Sequence, residues 1–127
     1  MRYLVDTHTL VWFFTKDPKL GPRAKKILLE AEKGKYQIFI PTIVLLEAID
    51  IAQKKKISFK IEDLFGFIET RDNFQIIDLD FALIKEIVKI GKKLELHDRV
   101  ILTTAKFFQA TILTRDSVLK SLVSTIW

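Results

Sequence analysis

Four carboxylates stand where a folded chain can gather them: Asp6, Glu47, Asp98 and Asp116. Asp6 follows directly on the apolar run Tyr3-Leu4-Val5, and Asp116 follows the run Thr111 to Thr114 by two residues. If both runs are strands of one parallel sheet, both acids leave it at the same edge, outside the carboxyl ends where such sheets hold ligands. Asp98 lies three and four residues before Ile101 and Leu102, at the end of a helical apolar stripe. Glu47 sits inside a helical stretch with Ile43, Val44 and Ile51 at neighbouring positions, where an unpaired charge is costly to bury.

Each acid also has an ordinary structural reading. Asp6, Asp98 and Asp116 all stand where a helix wants an N-cap, and aspartate is among the best caps. Glu47 reads equally as a half-exposed helix residue, because Ile43 to Leu46 is apolar throughout and fixes no face sharply. Catalytic chemistry follows only if the four converge. Clustered carboxylates without a counterion repel and bind protons. A hard divalent cation relieves that repulsion, and oxygen ligation in a chain without cysteine favours Mg²⁺ or Mn²⁺ over zinc. Such ions suit in-line attack of water on a phosphodiester, where they activate the nucleophile and neutralise the leaving oxygen.

The elements that must position these residues alternate along the chain. Strands are expected at Tyr3–Val5, Gln37–Ile40, Phe74–Leu79 and Thr111–Thr114, with Thr125–Trp127 as an edge strand. A short helix from Thr9 to Phe14 ends at the Asp17-Pro18 turn, and a second starts at Gly21-Pro22 and stops at Gly34, with proline at its start and glycine at its end. A third opens at Pro41-Thr42 with Thr42 as N-cap and runs to the Lys54-Lys55-Lys56 run. Further helices are expected over Ile61–Thr70, after Asp80 through Leu83, Ile84, Ile87, Val88 and Gly91, from His97 onward, and after Asp116. Alternating strands and helices predict an α/β fold on a mostly parallel central sheet of four to five strands.

The 127 residues make one domain's worth of chain, expected to form a single domain over residues 1–127. A composition 49% hydrophobic and 29% charged is that of a folded globular protein. No apolar run reaches the roughly 20 residues that span a bilayer, and Asp6 interrupts the first one, which leaves no signal-peptide core; a cytoplasmic protein without membrane contact is expected. The net charge is +5, and setting the four acids apart leaves 21 basic against 12 acidic residues, +9 over the remaining surface. An acidic pocket on a basic body suits a protein that attracts a phosphate backbone and holds metal against it.

The motifs themselves resemble those of PIN-domain nucleases. YLVDTHTLVWFF resembles the first motif, an apolar strand ending in Asp-Thr before a helix, and PTIVLLEAID the second, a hydroxyl residue at a helix start five residues before a glutamate. LHDRVILTTA is similar to the third, an Asp-Arg pair opening an apolar helix, and TILTRD to the fourth, a strand closing on Thr-x-Asp. The four occur in the family's order across essentially the whole chain, and the match is closest to the small toxin-like ribonucleases called VapC-type. The resemblance implies a three-layer α/β/α fold and an RNA-cleaving activity, with Asp6, Glu47, Asp98 and Asp116 as the site for Mg²⁺ or Mn²⁺. It implies Thr114 as a hydroxyl that orients a ligand or water, with Thr7 and Thr42 as further supporting positions, Thr42 standing where a serine is frequent. It also implies a homodimer and a small antitoxin that occupies the active-site groove. Thr103-Thr104 is more polar than the family's usual small apolar pair.

Other residues are read more plainly. Arg99 and Arg115 adjoin proposed ligands and suit either phosphate binding or ion pairing. His8 and His97 read as structural or orienting neighbours of the ligands. Trp12, Phe13 and Phe14 read as core or dimer surface rather than a base-stacking platform, and Lys54 to Lys56 and Lys92-Lys93 as solvated surface. Two other functions compete: a non-catalytic RNA-binding module on the same fold, and a metal phosphohydrolase using Asp6 as nucleophile. Against the second, the position two residues after Asp6, where such enzymes often place another aspartate, is His8.

Overall fold

The computed structural model describes residues 1–127. Five strands form one sheet in the order β3-β2-β1-β4-β5, with every neighbouring pair parallel. They are β1 (Arg2–Val5), β2 (Gln37–Pro41), β3 (Phe74–Ile77), β4 (Thr111–Leu113) and β5 (Thr125–Ile126). Between them lie α1 (Thr7–Thr15), α2 (Pro22–Glu32), α3 (Thr42–Gln53), α4 (Ile61–Glu69), α5 (Phe81–Ile87), α6 (Leu96–Phe107) and α7 (Ser117–Leu122). The chain builds outward from β1 through β2 to β3, then returns to the other side of β1 for β4 and β5. Right-handed crossovers put the helices of these two halves on opposite faces of the sheet. Helix contacts divide the same way, α1 meeting α2 and α3 on one side and α5 meeting α6 on the other. This is the expected α/β/α arrangement, with a sheet parallel throughout.

A sheet covered on both faces needs apolar strands without alternation. The buried runs Tyr3-Leu4-Val5, Ile38-Phe39-Ile40 and Ile112-Leu113 supply them. They join Leu10, Val11, Leu28, Val44, Leu64 and Ile101 in one apolar core of 27 buried residues. The Thr103-Thr104 pair is buried in that packing, and Thr104 returns its hydroxyl to the Val100 carbonyl at 2.7 Å. No helix is long and apolar enough to cross a membrane.

Several element ends differ from the sequence expectation, and each has a local cause. The first helix begins two residues early, at Thr7, because Asp6 caps it. Thr42 is the first helical residue of α3 rather than its cap, a place taken by Pro41, and the Thr42 hydroxyl instead accepts the Leu79 N–H at 3.3 Å. That contact draws the chain out of β3, which ends at Ile77. Asp98 is not a cap either, since α6 starts at Leu96 and places Asp98 in its first turn. Beyond α5 the chain tightens into a 3₁₀ turn over Val88–Ile90, closed by Gly91 at φ 85°, a conformation that favours glycine.

The reversal of strand order falls between β1 and β4, and this is the switch point at which open parallel sheets bind ligands. Val5 and Leu113 are partners in register there. Asp6 therefore leaves β1 beside the point where Thr114 leaves β4.

Candidate active site

Asp6, Glu47, Asp98 and Asp116 line one pocket of about 250 Å³, together with Thr7, His8, Glu95 and His97 and with no apolar side chain in its wall. Four separate elements deliver the four acids: the ends of β1 and β4, and the helices α3 and α6. A second pocket of about 270 Å³ shares Asp6, His8 and Asp116 with the first and extends to Thr9, Trp12, Arg115 and Trp127.

Two of the acids are held by hydrogen bonds that also build the fold. Asp6 Oδ1 accepts the Thr9 N–H at 3.0 Å and lies 2.6 Å from the Thr9 hydroxyl, which also reaches the Leu113 carbonyl at 2.7 Å. Asp116 Oδ1 accepts the N–H groups of Val118 and Leu119 at 2.8 and 3.1 Å, capping α7. Thr114, 3% exposed, ties the two acids together. Its hydroxyl donates to Asp6 Oδ2 and accepts the Asp116 N–H at 3.0 Å. One buried hydroxyl thus joins the Asp6 carboxylate to the backbone of Asp116.

The other two acids are held more loosely. Glu47 Oε2 lies 3.4 Å from His97 Nδ1, and their side chains are 36% and 24% exposed. The other ring nitrogen of His97 is 3.5 Å from the hydroxyl of Thr7, which is buried. Asp98 makes no hydrogen bond. Burial raises its pKa above the ordinary carboxylate value, and the negative charge of Asp116 raises it further. His97 acts in the opposite direction, whereas Glu95 and Asp6 add to the rise. Asp98 therefore lies within Coulomb reach of Asp6, Glu95 and Asp116 in a partly dehydrated place.

The supporting positions divide. Thr7 and Thr114 are in the site, and Arg115 lines the adjoining pocket with its guanidinium carbon 4.7 Å from the Trp12 ring centroid. Thr42 is spent on the Leu79 backbone, and Arg99 lines neither pocket and buries its Nε without a partner. Sequence reasoning missed Thr9 and Glu95. Thr9 follows Asp6 by three residues, the spacing at which a capping aspartate meets its helix, and Glu95 precedes Asp98 by the same interval along α6.

No three of the histidine, aspartate and glutamate side chains converge tightly enough to form a ligand shell as they stand. The donor set is nevertheless suited to a cation. Anionic oxygens from four acids, in a pocket without sulfur, fit a hard divalent cation such as Mg²⁺ or Mn²⁺.

Known proteins place the chain. The family model of the PIN domain matches residues 3–123. Among solved structures, VapBC2 from Rickettsia felis, bound to a DNA fragment from the promoter, superposes with a TM-score of 0.72 at 22% identity, covering 99% of this chain and 96% of that one. A toxin–antitoxin complex from Klebsiella pneumoniae gives 0.65 at 25% identity, covering 95% and 92%. FitAcB from Neisseria gonorrhoeae gives 0.66 at 17% identity, covering 98% and 96%. No curated protein is close enough in sequence to match. With its whole length but a few terminal residues under the family model, this chain belongs to the PIN-domain family.

Proposed function

We propose that the protein is a metal-dependent endoribonuclease, hydrolysing phosphodiester bonds of RNA, and the toxin of a toxin–antitoxin pair. The observation that carries the reading is the delivery of Asp6, Glu47, Asp98 and Asp116 from four elements to one polar pocket at the switch point. Mg²⁺ or Mn²⁺, when bound, supplies an activated water and countercharge for the leaving oxygen. The chain's own part is positional. Thr114 fixes Asp6 against Asp116 on one wall. His97 steers Glu47 from another. Asp98, short of partners, is the acid that gains most from a cation. The +5 net charge favours the approach of a polyanion.

The toxin assignment is supported by the family and by the similar solved structure from Klebsiella pneumoniae, a toxin–antitoxin complex. On this reading the partner is a small antitoxin protein, the active form is a homodimer, and the protein works in the cytoplasm.

The test is cleavage of a mixed set of labelled RNAs in Mg²⁺, Mn²⁺ or EDTA, beside an Asp98→Asn control. Asp98 is the cleanest acid to change because it caps no helix. Cleavage that needs the cation and drops at least tenfold in Asp98→Asn, about 1.4 kcal/mol of transition-state stabilisation or more, is expected. Cleavage that persists in EDTA or in the variant refutes the proposal.

A further inference from the structure

Beside the acidic pocket lies the second one, and nothing in the cleavage reading accounts for its chemistry. Its floor is Trp12, 4% exposed, with its ring flanked by Trp127 at 5.9 Å and His8 at 5.3 Å between centroids. Arg115 lies over the same ring, exposed, and its guanidinium is engaged with no carboxylate. Its fork of N–H donors is thus held in place by the indole and left free to donate. Trp127 is held too. Gly21 leaves room for it, since a Cβ there would stand 2.5 Å from the Trp127 backbone carbon and 2.6 Å from its ring.

We infer that this pocket is a nucleotide subsite, which seats the unpaired base next to the scissile phosphodiester against Trp127 and His8 and holds its phosphate on Arg115. The inference rests on the endoribonuclease reading for its substrate. The lining selects the ligand class: aromatic faces that take a base by stacking, and a planar cation that takes a phosphate in bidentate fashion. The size agrees. A volume of about 270 Å³ is near the lower limit of small-ligand pockets and admits one nucleotide, not a helix. Asp6, His8 and Asp116 belong to both pockets, so a nucleotide seated here places its neighbouring phosphodiester at the four acids. Selection then favours single-stranded RNA, in which a base is free to leave its stack.

The chain offers its own reporter, because its two tryptophans, Trp12 and Trp127, both line this pocket. Asp98→Asn protein in EDTA, where cleavage is blocked, is titrated with single-stranded RNA oligomers and with the same oligomers carrying abasic residues. Saturable quenching of tryptophan fluorescence is expected with the intact oligomers, and at least fivefold weaker binding with the abasic ones. Arg115→Gln and His8→Ala, both at exposed positions, should each weaken binding of intact RNA at least threefold, and Trp127→Phe should retain most of it. RNA that binds by filter assay without quenching, or that binds Arg115→Gln and His8→Ala as tightly as the parent, overturns the subsite. So does an Arg115→Gln effect confined to a bound inhibitor protein. Metal-dependent cleavage by the parent without quenching sinks this inference and leaves the nuclease reading intact. Quenching without cleavage by the parent in any metal does the reverse.

Discussion

Thr114→Val tests whether the switch-point hydroxyl does more than fill space. Valine keeps the volume and shape of threonine but removes the donor to Asp6 Oδ2 and the acceptor for the Asp116 N–H. A hydrogen bond to a charged group contributes about 1.5–3 kcal/mol and a neutral one about 0.5–1.5 kcal/mol. Asp6 keeps its bonds from Thr9 and is partly exposed, so water recovers part of the loss. A destabilisation of about 2 kcal/mol is therefore expected from urea denaturation. Thr114→Ser is the complement. It keeps both bonds and deletes one buried methyl, for a cost of about 1 kcal/mol. The two variants should separate much further in catalysis than in stability. At saturating Mn²⁺, kcat/KM should fall at least tenfold in Thr114→Val and stay within about threefold of the parent in Thr114→Ser. Equal activity in both variants would show that the hydroxyl supports the fold and not the acids.

Asp98→Asn should raise the melting temperature of the metal-free protein at neutral pH, because it removes the charge that the site tolerates least. The folded state raises the pKa of Asp98, so its favourable contribution is complete below the unfolded value of about 3.9 and is lost as pH rises through the folded value. The gap between variant and parent should accordingly open from acid to neutral pH, and Mn²⁺ should stabilise the parent more than the variant; a gap that widens on acidification contradicts the assignment. His97→Ala should change stability by less than about 1 kcal/mol, as expected for a half-exposed pair. It should raise the Mn²⁺ concentration for half-maximal cleavage roughly 10-fold, the usual effect of losing a group that orients a ligand. An unchanged metal requirement would remove His97 from the positioning of Glu47.

The strands that frame the site were legible because of where they lie. β1, β2 and β4 are covered on both faces, so their sequences are unbroken apolar runs that no polar pattern obscures. Less was legible where tertiary contacts set the ends. Leu79 reads as a continuation of β3, yet its N–H goes to Thr42 in α3, a partner 37 residues away that local pattern does not reveal. From α5 into the 3₁₀ turn Leu83, Ile84, Ile87 and Val88 keep one helical period in the sequence, but Leu83 and Ile87 are buried while Ile84 and Val88 are exposed. Periodicity reports that a helix has an apolar side and not how much of that side the core covers. Glu95 escaped notice for a related reason, since an acid just before a helix is unremarkable until α6 is docked beside β1.

The four acids were recognised together through the family motifs, whereas cap chemistry taken residue by residue argued against three of them. The geometry removes that conflict. Capping by Asp6 and Asp116 engages Oδ1 in both cases, so Asp116 retains Oδ2 for a ligand while its helix stays capped. Asp6 spends its second oxygen on Thr114, which locks it in place beside Asp116. Capping is therefore compatible with the proposed ligand role: the bonds that close the helix also aim the carboxylate. Asp98 and Glu47 have no such bonds from the backbone, and their places depend on docking α6 and α3 against the edge that Asp6 and Asp116 define. Folding thus fixes Asp6 and Asp116 through backbone bonds and leaves Asp98 partly buried near the charges of Asp116, Glu95 and Asp6. On the proposed reading a divalent cation is the ligand that relieves this crowding of charge, and cation binding and the stability of the fold would then be parts of the same equilibrium.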